Sequence, residues 1–264
     1  WFRGVDEQAT IAALGWDGAF PEGMGDTLAV NEANIGGQKT DAVIQEQVDH
    51  EIEMKEDGSV FDTVTLYRRH TGEKGELFHG ANNVAYVRVY APPGAQLLEA
   101  TGFQPPPKSA YKAVLPEDPV DADVTRIENE RLIDPSGVRI TEEFGRTVFG
   151  GWVQLGPGAS SKTVFRYQLS LNAFDLADRL DTSTDLAQDQ SPQKRAAYLL
   201  SLVSQSGKTD RGITVRLRAP STWKIAWSNQ DWRLEGATRV LSFAGWDRNR
   251  VIAVLFDTDH EETR

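Results

Sequence analysis

The chain of 264 residues contains no cysteine. That removes disulfides, thiolate metal ligands and a cysteine nucleophile in one step. Long apolar runs are missing too. The longest, 251–256, falls far short of the ~18 residues that a membrane helix requires. Positive charge is scarce, with 28 Lys and Arg against 39 Asp and Glu, so the net charge is −11. A phosphate backbone or an anionic membrane surface is repelled by that field unless a basic patch overrides it. The densest basic stretch, 211–218, spaces Arg211, Arg216 and Arg218 among apolar residues, as the outer face of a strand does. Nucleic-acid binding is therefore not expected. Histidine is limited to His50, His70, His79 and His260, with no His-Glu-x-x-His helix motif and no close pair. His50 reads as a satisfied, semi-buried strand residue. Without a Gly-x-Ser-x-Gly elbow or a calcium loop, the sequence points to no metal, no cofactor and no catalytic residue.

What is present is a β pattern. Apolar residues make up 39% of the chain, enough for a packed core. Val48, His50, Ile52 and Met54 alternate with Asp49, Glu51, Glu53 and Lys55, a strand with one wet face. Asp57-Gly58 predicts a hairpin turn into a second extended run at 60–69. Further strands are predicted at 84–91, 147–155, 162–169, 198–204, 213–217, 223–227, 239–243 and 251–256. The pair 147–155 and 162–169 turns at Gly156-Pro157-Gly158-Ala159.

Many short strands and little helix predict an all-β fold, a β-sandwich of immunoglobulin-like style. Four segments follow. Residues 1–24 form a helix and loop, capped at Asp6 and docked on the sandwich. Residues 25–171 form the main sandwich. Residues 172–197 are an acidic, helix-leaning connection, and 198–264 form a second, smaller β unit that packs against or extends the first. The proline-rich stretch 102–123 reads as a surface crossing. Its acids Asp118, Asp121 and Asp123, and Asp181, Asp185 and Asp189 in the connection, read as solvated positions.

Two groups stand out as candidate sites. The first is the string Asn34-Ile35-Gly36-Gly37-Gln38-Lys39-Thr40-Asp41. Paired glycines can expose successive N–H groups as an anion nest, with Lys39 adding charge. The same string also suits an architectural joint between strands, with a glycine at positive φ and with Asn34 and Asp41 bonding nearby backbone. The second group is Trp223, Trp227, Trp232 and Trp246. Trp223 and Trp227 fall on one face of a predicted strand, where indoles can stack on sugar rings or be used as core.

The first string, following Gly25-Asp26-Thr27-Leu28-Ala29-Val30-Asn31, resembles a bacterial cell-envelope family of unknown function (DUF 4012). Three further strings are similar to that family. They are Tyr86-Val87-Arg88-Val89-Tyr90-Ala91-Pro92-Pro93-Gly94-Ala95, Leu97-Leu98-Glu99-Ala100-Thr101-Gly102 and Arg146-Thr147-Val148-Phe149-Gly150-Gly151-Trp152. The resemblance implies the C-terminal portion of a membrane-anchored protein displayed outside the cytoplasm. The opening on Trp1 rather than Met agrees with a processed product or fragment. It supplies no activity and no catalytic residues. The expectation is a non-enzymatic structural or interaction domain whose partner is a cell-surface protein or another copy of itself. The alternatives are a carbohydrate-binding module for envelope glycans and an envelope-polymer enzyme with unidentified acids.

Overall fold

The computed structural model describes residues 3–14, 19–20, 24–35, 38–110, 115–183, 194–208 and 210–258. In chain order they form α1 (Val5–Ala13), β1 (Asp26–Asn34), β2 (Ile44–Met54), β3 (Ser59–His70), β4 (Asn83–Ala91) and β5 (Gln96–Thr101). Next come α2 (Ala122–Glu130), β6 (Leu132–Ile133), β7 (Arg139–Glu143), β8 (Arg146–Leu155), β9 (Ser160–Asn172) and α3 (Ala173–Ser183). The last are β10 (Arg195–Val203), β11 (Gly212–Arg218), β12 (Lys224–Ser228), β13 (Arg233–Glu235), β14 (Thr238–Phe243) and β15 (Arg250–Asp257).

These strands make an all-β sandwich. One sheet has eight strands in the order β12-β15-β10-β1-β4-β8-β7-β6, and the other has seven, β13-β14-β11-β2-β3-β9-β5. Both sheets are mixed. β1 runs parallel to β10, and β2 runs parallel to β11. The immunoglobulin pattern is antiparallel throughout, so the pairing here is its own variant of a sandwich.

Those two parallel pairs set the relation between the halves of the chain. The segment after residue 195 extends both sheets at once instead of forming a separate layer. One apolar core runs through the result, with Leu28, Val48, Val64, Phe165, Leu200, Val215 and Phe256 all closed to water. Period-two alternation drives this: one parity of each strand is apolar and buries against the opposite sheet.

The β2–β3 hairpin turns where Asp57-Gly58 predicts. Gly58 takes φ +81°, and the Ser59 N–H and hydroxyl donate to Asp57 Oδ1 at 2.9 and 2.6 Å. α1 forms as predicted but starts from Gly4 without a side-chain cap, and Asp6 lies in its first turn. It buries no residue, and Ile11, on its expected apolar face, is half-buried. Asp121 is instead a true cap, accepting from the Val124 N–H of α2 at 2.9 Å.

Candidate functional site

The Asn34–Asp41 joint leads from β1 in one sheet to β2 in the other. Gly36 and Gly37 lie outside the described residues. Gln38 takes φ +60°, the left-handed region expected of the glycines beside it. Asn34 Nδ2 donates to Thr40 Oγ1 at 2.9 Å, and Asp41 Oδ1 accepts from Asn83 Nδ2 at 2.7 Å. The Lys39 N–H donates to the Phe78 carbonyl at 3.1 Å, and its ammonium stands 5.9 Å from the Phe78 ring centre. Among the described residues, Lys39 therefore meets an aromatic face and no acid.

Asn83 carries the joint into a buried ionic network between the sheets. Its Oδ1 accepts from Arg68 Nη2 at 3.0 Å. Arg68 Nε donates to Glu46 Oε1 at 3.0 Å, and Nη2 reaches Glu32 Oε2 at 3.3 Å. Arg211 Nε donates to Glu46 Oε2 at 3.0 Å, and its Nη1 donates to the Val30 carbonyl at 2.6 Å. Lys208 Nζ lies 3.1 Å from Glu46 Oε2 and 3.7 Å from Glu32 Oε2. Three cations thus surround two carboxyl groups, of which Glu32 is raised to about 8 by burial and by the neighbouring Glu46. Arg211, expected on an outer strand face, is 2% exposed and points inward on the parity of Ile213 and Val215. Burial opposes the Glu46 charge, but contact with Glu32 and the cations of Arg211, Lys208 and Arg68 hold it well below the usual carboxylate range. Burial likewise works against the Arg68 charge, and Glu32 and Glu46 outweigh it.

A second polar group sits deeper, and it corrects the reading of the histidines. Asp26 opens β1 in the eight-stranded sheet. His50 and Asp62 face it from β2 and β3 of the other. In that hairpin Ile52 pairs with Asp62, which makes His50 its diagonal neighbour on the same face. All three are 0–1% exposed. Their ligating atoms lie within 4.8 Å of one another. Tyr167 stands directly across the β3–β9 ladder from Asp62, and the Tyr198 hydroxyl donates to Asp26 Oδ2 at 2.5 Å. His50 Nε2 lies 3.4 Å from Asp62 Oδ2 without hydrogen-bond alignment. Burial, reinforced by Asp62, pushes Asp26 well above the ordinary carboxylate range. Burial also raises Asp62 to about 7 and lowers His50 to about 4. The expected semi-buried, satisfied His50 is instead fully enclosed, and neither ring nitrogen makes a hydrogen bond.

The four tryptophans do not assemble on the surface. Trp223 is 4% exposed and packs on Phe174 and Phe256, with ring centres 5.4 and 5.8 Å away. Trp246 is buried in the core, and Trp232 packs against it with Nε1 donating to Ser228 Oγ at 3.0 Å. Only Trp227 of the four presents a largely open ring. The shared face predicted for Trp223 and Trp227 fails for a local reason. The β12–β15 register shifts between Ile225 and Trp227, and a one-residue bulge inverts the alternation.

A surface cavity of about 570 Å³ is lined by Phe20, Ala29, Tyr90, Val203, Gln205 and Asn249, among others. A smaller one of about 340 Å³ lies over β2, β3 and β9, lined by Gln45, Gln47, Tyr67, Arg69 and Ser160 among others. A third, also about 340 Å³, opens between Gly25, Pro92, Arg146 and Asn172, and Asp26, His50 and Asp62 line none of the three.

Sequence reading missed Asp26, Asp62, Tyr167, Tyr198, Glu32, Glu46, Arg68 and Lys208. The available signal was parity, since most of them occupy the apolar register of their strands.

No family model matches the chain, and no curated protein does. The likeness to a cell-envelope family therefore rests on the quoted strings alone. Among solved structures, the chain is similar to a proposed nutrient-binding protein from Legionella pneumophila, at 7% identity and TM-score 0.38, over 88% of this chain and 72% of that one. It is also similar to an M1 zinc metallopeptidase from Deinococcus radiodurans, at 10% identity and TM-score 0.30. That match covers 81% of this chain but only 42% of the peptidase. A yeast delta-COP-I mu-homology domain matches at 10% identity and TM-score 0.19, over 91% of this chain and 77% of that one. Likenesses this loose carry no argument about the site.

Proposed function

We propose that this chain is a non-enzymatic interaction domain of a bacterial cell surface, whose sandwich presents edges and loops to a partner protein or to another copy of itself. The observation that carries the reading is where the reactive chemistry lies. The histidine and the two carboxylates with raised or lowered proton affinity are walled between the sheets and line none of the three surface cavities described. A general acid or base must reach its substrate within hydrogen-bond distance, and these groups cannot. Apolar surface lies instead at the sheet margin. β6 ends the eight-stranded sheet, and its Leu132 and Ile133 are 66% and 62% exposed, close in sequence to exposed Val120 and Val124. An open edge with apolar side chains is a template for strand addition.

The surface address rests on the likeness of the quoted strings to an envelope family, and recovery of the full-length gene tests it. An upstream region without any apolar span counts against it. For the function itself, the chain is screened against a panel of wall glycans for turnover and binding, and its self-association is followed by sedimentation velocity. The reading expects no turnover, and association that Ile133→Lys weakens without lowering Tm. Hydrolysis of any glycan in the panel overturns it.

A further inference from the structure

The ionic network around Arg68 brings cations of this chain to its carboxylates, but the group around His50 does not. Two carboxylates and a histidine are enclosed among Leu28, Val48, Ile52, Val60 and Val64, and among the described residues no cation faces them within hydrogen-bonding reach. Both ring nitrogens of His50 are buried without a hydrogen-bond partner, and Asp26 Oδ1, the two Asp62 oxygens and the Tyr167 hydroxyl meet only one another, short of good hydrogen-bond geometry. A cluster of polar atoms left in this state in a dry core costs several kcal/mol unless something joins them.

We infer that Asp26, His50 and Asp62, with the Tyr167 hydroxyl beside them, bind one divalent transition-metal ion that ties the two sheets together. The spacing suits it. Two ligands each about 2.1 Å from a tetrahedral ion stand about 3.4 Å apart. His50 Nε2 and Asp62 Oδ2 are separated by 3.4 Å and are misaligned for a hydrogen bond. The charge suits it as well, because a divalent cation neutralises two carboxylates beside a neutral imidazole. The imidazole selects a transition ion over calcium or magnesium, which prefer all-oxygen sites. The outer contact is also in place. The Tyr198 hydroxyl holds Asp26 Oδ2, which leaves Oδ1 to face the trio, as hydrogen-bonded metal carboxylates are arranged. Asp26 belongs to one sheet and His50 and Asp62 to the other, so the ion is a staple across the sandwich. The site is closed to water, so the ion enters as the chain folds.

The test refolds the wild-type chain from denaturant and EDTA with Zn²⁺, Mn²⁺ or Co²⁺, then removes unbound ion by gel filtration. Elemental analysis is expected to return a single ion per chain, with Tm above that of the chain refolded in EDTA. The Co²⁺ form is expected to show the strong visible bands of a four-coordinate site. His50→Gln and Asp62→Asn are expected to lose both the ion and the Tm gain. Should either variant fail to fold, the wild-type Co²⁺ spectrum decides. Weak bands like those of aqueous Co²⁺, an ion retained equally by both folded variants, or an equal Tm with and without metal overturns the site. The trio is then a proton-sharing cluster of the core. Failure here leaves the interaction reading intact, since that reading turns on glycan turnover and the β6 edge.

Discussion

Replacing Arg68 by Met probes the ionic network most directly. The Arg68 side chain is fully closed to water and holds Glu46, Glu32 and Asn83 from one guanidinium. Methionine keeps most of the aliphatic volume, so the loss is electrostatic and not a cavity. Glu46 and Glu32 stay buried and keep only Arg211 and Lys208 as cations. Breaking a buried pair from one side costs about 3–5 kcal/mol. Against a total stability of about 5–15 kcal/mol, that is a large share. At about 2–4 °C per kcal/mol for a chain of this size, Tm falls by roughly 6–20 °C. Urea unfolding followed by tryptophan fluorescence reads the change as a shifted midpoint at constant slope. Glu46→Gln completes a double-mutant cycle. The double variant is expected to recover ~1 kcal/mol or more relative to the sum of the singles, because the carboxylate left unpaired has gone. Added salt leaves the wild-type contribution unchanged, since screening does not reach an enclosed pair. A loss below ~1 kcal/mol in Arg68→Met, or strict additivity in the cycle, refutes the reasoning. The network is then no stronger than a surface ion pair.

The network also sets a pH dependence. Glu46 is held below its ordinary value of 4.5 when folded, so its contribution is complete above pH 4.5 and is lost as pH falls through the depressed folded value. Acid titration of stability is expected to show a steeper decline in wild type than in Glu46→Gln, and parallel curves reject the assignment. The tryptophans separate core from surface. Trp223→Ala is expected to cost about 3–5 kcal/mol and Trp227→Ala less than ~0.5, both by urea unfolding, and comparable losses contradict the bulge in β12.

Most strands were readable because their side chains obey period two and their turns carry glycine or proline. The run at 84–91 appears as Asn83–Ala91, 147–155 as Arg146–Leu155, and 162–169 lies within Ser160–Asn172. What could not be read was which strand pairs with which. β10 joins β1 and β11 joins β2 across roughly 170 residues of sequence, a pairing that alternation within each strand cannot report. The segment after residue 195 therefore read as a second unit packing against or extending the first, and all of its strands but β13 were anticipated. β12 failed differently. Its bulge inserts a residue that leaves composition untouched while reversing every face beyond it, which is why Trp223 and Trp227 diverge.

The interior polar groups were written in the sequence as violations of that same period. In β3 the inward parity runs Val60, Asp62, Val64, Leu66, Arg68 and His70, with all six buried. In β2 it runs Ile44, Glu46, Val48, His50, Ile52 and Met54. A charge on the apolar parity of a long strand is costly unless a partner faces it. Two such strands as neighbours, with Asp26 and Glu32 on the inward parity of β1, predict that the partners meet between the sheets. Reading each strand alone hides this, because Asp62 and Arg68 then look like ordinary wet-face residues in a run that also carries Arg69 on its outer parity. The polar groups also separate by depth. The Arg68 network lies toward the joint at residues 34–41, where Asn83 links Asp41 to the guanidinium. The His50 group lies at the other end of β1, where Asp26 begins the strand. Leu28 and Val30 separate the two along β1, and Val48 separates Glu46 from His50 along β2, so each cluster must balance its own charge. The first does so with three cations from this chain. The second has none within reach among the described residues, and that imbalance, rather than any motif, is what points to an ion.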